Sequence, residues 1–361
     1  MRLTAKREVL AAAISAAVRS LPSRPVTPAA AALQLDVLDN DRLLVTGTDV
    51  ETTTKSLVVL DSSEPGRALV PGLVLAELLR DLPEGSLTLS VADGTLTITA
   101  SCGIYKMQVI TGDPIIAPKL PDVIGTVDAS EFLRAANSVA TATDRTDANL
   151  SAVRLEVLDG KIRIVGTDRY RLGIASVDFT LSEGVEFAPT TVNVFAKHLL
   201  DAARVLGKSG QVRLSFGDGV IGLSNPSTAV ITRLATAQFP KYEALLSKSP
   251  IGAVQVPAEA IVGAVKRVGR FGSNRVQIGF TADAVTVTSP AGELGTATER
   301  IPATWDGESE LSVTVNSAYL ADAVNATGAD SVTLSPTGAS SAMKVAGADT
   351  DPFHLVMPMR G

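Results

Sequence analysis

The chain has 361 residues, 45% of them hydrophobic and 19% charged, with a formal net charge of −6. Such a length calls for two to three domains of roughly 100 to 200 residues, and such a composition excludes a disordered chain. Cys102 stands alone and only His198 and His354 are present. This excludes a disulfide framework, fits a reducing cytoplasm and leaves the common zinc sites without ligands, so no metal or cofactor is expected.

At the start, Arg2, Lys6 and Arg7 precede the apolar run Val9 to Val18, as in a secretion signal. However, Val9, Ala13, Ala17 and Leu10, Ile14, Val18, Leu21 recur at helical spacing, which reads as an amphipathic helix beginning after Thr4. No apolar run reaches the roughly 18 residues of a membrane span. Strands follow around 32–37, 42–45 and 52–60, and Pro71 opens a second helix to about Leu82. Residues 87–90 and 96–99 alternate around the turn Asp93-Gly94, and 104–109 make another strand. The proline-rich stretch Thr111 to Pro121 reads as a linker.

The same order recurs. Asp128, with Glu131 three residues on, has the capping-box pattern before the apolar face Phe132, Leu133, Ala136, Val139, Ala140. Leu155-Glu156-Val157 and Ile162-Arg163-Ile164 alternate around Asp159-Gly160, a β-hairpin leading into Thr167-Asp168-Arg169-Tyr170-Arg171-Leu172. A helix from about Phe195 to Leu206 follows, then strands at 212–216, 220–223 and 229–234, then a linker beginning Gln238-Phe239-Pro240-Lys241-Tyr242. The last segment gives a helix from Pro257 to Val268, strands at 276–280 and 285–288, a helix from Asn316 to about Ala326, and strands at 332–335, 343–345 and 354–357.

Registers agree between segments. Leu75, Leu199 and Leu320 are each followed two positions later by an acid, Glu77, Asp201 and Asp322. Leu35 to Asp39 with Gly47-Thr48-Asp49 answers Leu155 to Asp159 with Gly166-Thr167-Asp168. The reading is an α+β fold of three tandem repeats, 1–120, 121–249 and 250–361, each of two helices packed on antiparallel sheets. Tandem repeats with unlike ends can close with a second copy head to tail.

No catalytic constellation assembles. Gly217 to Gly222 satisfies G-x-G-x-x-G but precedes a strand instead of opening a helix, so it reads as a hairpin. His198 reads as a solvated or cavity-lining residue of a helix, His354 as an edge residue of the last strand, and Asp144 and Asp147 as parts of a solvated turn. Binding remains. Arg24, Arg134, Lys197, Arg204, Lys266 and Arg267 lie on or beside helices, whereas many acids lie on strands and turns. Each base alone reads as a solvent face; together they suit the lining of a channel for a polyanion.

The threefold repeat, Ser23-Arg24-Pro25, Gly166 to Leu172, Phe239-Pro240-Lys241-Tyr242 and Val356-Met357-Pro358-Met359-Arg360 together resemble the bacterial DNA polymerase III beta subunit, the sliding clamp, over the whole chain. The resemblance implies a non-catalytic homodimeric ring around double-stranded DNA, contacting it without sequence preference through those basic residues. It also implies a pocket between the second and third repeats for short peptides of the replicative polymerase, the clamp loader and repair proteins. Carried over by position, the pocket is Leu150, Thr167, Arg169, Tyr170, Arg171, Leu172, Pro240, Leu245, Ser341, Leu355, Met357, Pro358, Met359 and Arg360. The dimer contact would involve Tyr105, Met107, Val268 and Phe271. Arg169-Tyr170 stands where many members have Gly-His, and Ala244 where a basic residue is frequent; both bear on partner affinity. The alternative readings are a monomeric protein-binding repeat scaffold and an enzyme whose site is dispersed in the sequence.

Overall fold

The computed structural model describes residues 1–359 except positions 145, 187, 237, 273, 291–294, 349 and 350, with position 28 described by its backbone only. Helix pairs recur as the registers require: Arg7–Val18 with Gly72–Asp81, Ala129–Ala140 with Ala196–Leu206, and Ala258–Gly269 with Ser317–Thr327. Leu75, Leu199 and Leu320 are all buried. Helix starts follow from local chemistry. Asp128 accepts from the Ser130 N–H at 2.9 Å, and Asn316 accepts from the N–H groups of Ala318 and Tyr319, so first-turn donors that have no partner within the helix are satisfied.

Each of these helices is entered directly from a strand, which the sequence reading did not anticipate. Arg2–Lys6, Val123–Asp128 and Val254–Pro257 precede the first helices, and Gly66–Pro71, Thr190–Phe195 and Leu311–Asn316 the second. These strands are short and run straight into the helix, so they lack the turn residues that would mark them off as separate elements. Pro71 and Pro257, read as first helical residues, close their strands and stand at the N-cap.

Among the described residues every strand pairing is antiparallel, and the strands form sheets of five, nine, eight and four. The hairpin turns fall where the glycines predict. Leu158 pairs with Lys161 across Asp159-Gly160, and Gly217 with Val220 across Asp218-Gly219, with Gly160 and both residues of the second turn at positive φ. The Gly217 to Gly222 run is therefore a hairpin.

Two pairings join neighbouring repeats. Thr228–Arg233 hydrogen-bonds to Thr52–Val59, and Phe353–Val356 to Arg171–Asp178. The chain accordingly forms two compact units, one of Met1–Ser130, Thr180–Phe187 and Asp201–Leu234, the other of Glu131–Phe179, Ala188–Leu200 and Ala235–Gly361. The first holds an aliphatic core of Leu10, Ile14, Leu33, Leu35, Leu75 and Leu89 with their neighbours. In the second, Ile261, Val265, Phe280, Val313, Leu320 and Val356 belong to a core of the same kind. With so few aromatics, stability comes from many fully buried aliphatic side chains, each contributing about 1.5–3 kcal/mol of transfer free energy.

His354 corrects the sequence reading. Its strand lies between Arg171–Asp178 and Met343–Ala346, inside the eight-stranded sheet, and the residue is 1% exposed.

Candidate functional site

The run Thr167 to Arg171 folds as a tight polar turn. Thr167 Oγ1 donates to the Arg171 carbonyl at 2.7 Å and accepts from the Arg169 N–H at 3.1 Å. Asp168 Oδ1 accepts from the N–H groups of Tyr170 and Arg171 at 3.0 and 2.9 Å. Both side chains thus replace a backbone ladder with local bonds, and Arg169 is held at φ 75°. The turn projects Arg169 and Tyr170 outward and sends Leu172 inward, where it is 2% exposed.

Beneath it lies a separate apolar cluster. Val165, Leu172, Ile174, Phe239, Tyr242, Ala342 and Leu355 are buried together, with Leu245, Phe353 and Met357 packed against them. Strand register explains the selection, since Val165 pairs with Ile174, Ile174 with Phe353 and Leu172 with Leu355, all on one face. The linker crosses that face and is fixed there: Arg154 lies 4.8 Å over the Phe239 ring, and Tyr242 Oη donates to Glu156 Oε1 at 2.5 Å. Burial, together with that carboxylate, pushes the Tyr242 hydroxyl up to about 12.

Arg171 ties the turn to the helix Ser317–Thr327. Its Nε donates to Asp168 Oδ2 at 2.9 Å, an Nη donates to Asp322 Oδ2 at 2.6 Å, and the guanidinium lies 4.5 Å over the Tyr319 ring. Tyr319 in turn stacks on Tyr170, with ring centroids 6.3 Å apart. His354 sits behind, with Nε2 3.0 Å from Ser138 Oγ; burial first, and the Arg171 charge second, lower its pKa to about 4. Asp322 also borders an open cleft of about 450 Å³ shared with Arg134, Asn137, Ser138, Thr141, Asn325 and Ala326.

The structure therefore brings together Leu172, Leu245, Leu355 and Met357 of the sequence-predicted pocket, with Pro240, Ser341 and Pro358 half-buried and Tyr170 and Met359 exposed. Met357 N–H donates to the Tyr170 carbonyl at 2.9 Å, and Lys248 Nζ donates to Ser341 Oγ at 3.4 Å. Leu150 is buried, and Arg169 lies 3.9 Å from Asp147. Arg360 lies outside the described residues. Sequence reasoning missed Val165, Ile174, Phe353, Tyr242, Tyr319 and Asp322 as parts of this site. Strand alternation could have supplied the first three; nothing local announces that Tyr319 and Asp322 meet Arg171.

The strand that enters each of these helices, the repeats and this junction agree with the comparisons. Models of the N-terminal, central and C-terminal domains of the DNA polymerase III beta subunit match residues 1–112, 126–241 and 246–360. The chain belongs to the DNA polymerase III beta subunit family. A beta sliding clamp homolog, GriR, from Streptomyces muensis is 30% identical over 100% of this chain and 99% of its own, and the beta sliding clamp of Streptomyces coelicolor is 28% identical over the same shares. Among solved structures, the Pseudomonas aeruginosa sliding clamp bound to griselimycin superposes with a TM-score of 0.91 at 23% identity, covering 100% of both chains. A Thermotoga maritima beta subunit gives 0.89 at 21%, covering 100% of this chain and 99% of that one. A member of this family is a non-catalytic subunit of DNA replication.

For a beta subunit the remaining residues of interest are those expected to meet DNA and a second subunit. Arg24, Arg134, Lys197, Arg204 and Lys266 are exposed. Arg204 stands 3.9 Å from Asp201. Arg267 is also exposed, but it makes a two-pronged bond to Glu299, at 2.7 and 2.6 Å, which raises its own pKa and lowers that of the carboxylate. Tyr105 and Met107 lie on Gly103–Gln108, the terminal strand of the five-stranded sheet, and pack inward on the first core, leaving Ile104 on the outer face at 65% exposure. Phe271 is 41% exposed, whereas Val268 is buried in the second core.

Proposed function

We propose that this beta subunit, organised as domains 1–120, 121–249 and 250–361, acts in the cytoplasm as a homodimeric ring around duplex DNA. It tethers the replicative polymerase, the clamp loader and repair proteins through short peptides seated where Leu172 meets Leu355. The observation that carries the reading is that junction. A buried apolar floor, half-buried Leu245, Met357 and Pro358 at its margin, and an exposed Tyr170 over Tyr319 supply an adaptable surface for apolar side chains, with oriented backbone groups beside it.

Two further features support ring closure and DNA contact. Gly103–Gln108 and Thr298–Pro302 are terminal strands of their sheets, one in each compact unit, so successive copies can add edge to edge, head to tail. Phe271 and Ile104 supply apolar surface for such a contact, and Tyr105, Met107 and Val268 shape it from beneath. The exposed bases Arg24, Arg134, Lys197, Arg204 and Lys266 suit loose phosphate contact, which carries no sequence information and so permits sliding; Arg267 would contribute through a charge it shares with Glu299. Imaging single particles of the full chain tests this. A closed ring with a central opening is expected; a compact monomer would favour a protein-binding scaffold instead.

A further inference from the structure

The junction between the first and second repeats is built on the same plan as the one that carries the proposed peptide site. Thr48 Oγ1 donates to the Thr52 carbonyl at 3.1 Å and accepts from the Val50 N–H at 3.1 Å, and Asp49 Oδ1 accepts from the N–H groups of Glu51 and Thr52 at 3.1 and 2.7 Å. These are the bonds of the Thr167 to Arg171 turn, one for one, and Val50 is at φ 79° where Arg169 is at 75°. Arg233 N–H donates to the Glu51 carbonyl at 3.0 Å as Met357 N–H does to the Tyr170 carbonyl at 2.9 Å.

With the backbones in register, side chains can be compared position by position. Val165 pairs with Ile174 and Thr46 with Lys55; Leu172 pairs with Leu355 and Thr53 with Ile231; Ile174 pairs with Phe353 and Lys55 with Ala229. Met357 corresponds to Arg233. Of these six positions of the apolar floor, only Leu355 has an aliphatic counterpart of its own size, Ile231. The linkers differ in the same sense. Phe239 lies under Arg154 at the second junction, whereas at the first the corresponding Gln34 accepts from the Ile115 backbone N–H at 2.6 Å and Lys55 Nζ donates to the Pro118 carbonyl at 2.8 Å.

We infer that the first junction is a second copy of the peptide-site scaffold closed to apolar peptides, with Thr46, Thr53, Lys55 and Arg233 as the residues that restrict docking to one site per chain. The physical reason is that the floor is already satisfied. Thr46 and Thr53 are each 2% exposed, Thr53 shares a hydroxyl bond with Thr48 at 2.8 Å, and Lys55 holds the linker down. An incoming leucine would break polar bonds and bury the released groups unpaired, a cost that apolar burial does not repay. The same logic makes Leu172, Ile174 and Met357 the specificity residues of the open site. The inference rests on the peptide-docking reading above.

The test uses full-length protein and a short synthetic peptide with leucine and phenylalanine anchors and a photoreactive group, with stoichiometry from calorimetry and position from cross-link mapping. One peptide per chain, cross-linked near Tyr170, is expected, falling to none in Met357→Lys. Two peptides per chain, or a peptide retained near Val50 in Met357→Lys, would overturn the inference while leaving docking intact; no binding to the unaltered chain would overturn the docking reading itself. The variant Lys55→Ile with Arg233→Met, checked for unaltered thermal unfolding, is expected to gain a second cross-link near Val50. A folded double variant that still takes a single peptide would remove these side chains from the role assigned.

Discussion

Arg171 donates to Asp322 Oδ2 at 2.6 Å while its Nε donates to Asp168, so one guanidinium holds a turn of the second repeat against a helix of the third. The side chain is 12% exposed, and Tyr319 covers its face. Lysine cannot reproduce a planar fork that also stacks on a ring.

Arg171→Ala is therefore expected to lower stability by about 2 kcal/mol, the scale of hydrogen bonds to charged groups, and to weaken peptide binding roughly tenfold, equivalent to about 1.4 kcal/mol. Arg171→Lys should recover only part of either loss. Denaturant unfolding and peptide titration of both variants check this; full recovery by lysine would mean that only the charge matters.

His354 gives a pH dependence. Its folded pKa of about 4 lies below the ordinary value near 6.5, because burial and the Arg171 charge disfavour the imidazolium. The neutral form is the one the fold accepts, so its contribution is complete above about pH 6.5, falls as pH drops and is gone below the folded value; the full span is about 3 kcal/mol. Stability of the unaltered chain should fall over pH 6.5 to 4 more steeply than that of His354→Gln, measured by urea unfolding at each pH. Parallel profiles would contradict the assignment.

The repeats were legible because their marks are local. Leu75, Leu199 and Leu320 sit at one register of a helix, and Asp159-Gly160 and Asp218-Gly219 can turn a hairpin on their own. What escaped was tertiary. The entry strands, such as Arg2–Lys6, earn their conformation from the Ser86–Ala92 strand beside them. His354 was assigned to an edge because no local feature says that Arg171–Asp178 lies along its other side. Of the candidate site, the polar run Thr167 to Leu172 could be read directly and the Met357-Pro358 ending came with the family resemblance, whereas Tyr319 meets Tyr170 only once the two repeats share a sheet. Val268, named for the subunit contact, is buried, and its helical spacing with Ile261 and Val265 already pointed inward.

Removing residues from Met357 onward deletes the segment whose N–H caps the Tyr170 carbonyl and whose side chain flanks the apolar floor. Peptide binding should be lost while sedimentation still reports a dimer. Loss of the dimer together with peptide binding would show that the subunit contact has been placed on the wrong strands.

Arg24→Ala and Lys197→Ala should each weaken residence on DNA at moderate salt and reduce the slope of log affinity against log salt by about 1. Binding measured across a salt series decides it; an unchanged slope would take that residue off the DNA-facing surface.

The most direct measurement is retention of the loaded protein on a nicked circular duplex compared with the same molecule after linearisation. A topological link predicts that the protein stays on the circle through a high-salt wash and leaves by the ends once the circle is cut. Equal retention on circle and line, or release from both by salt, would show that the chain grips DNA without enclosing it.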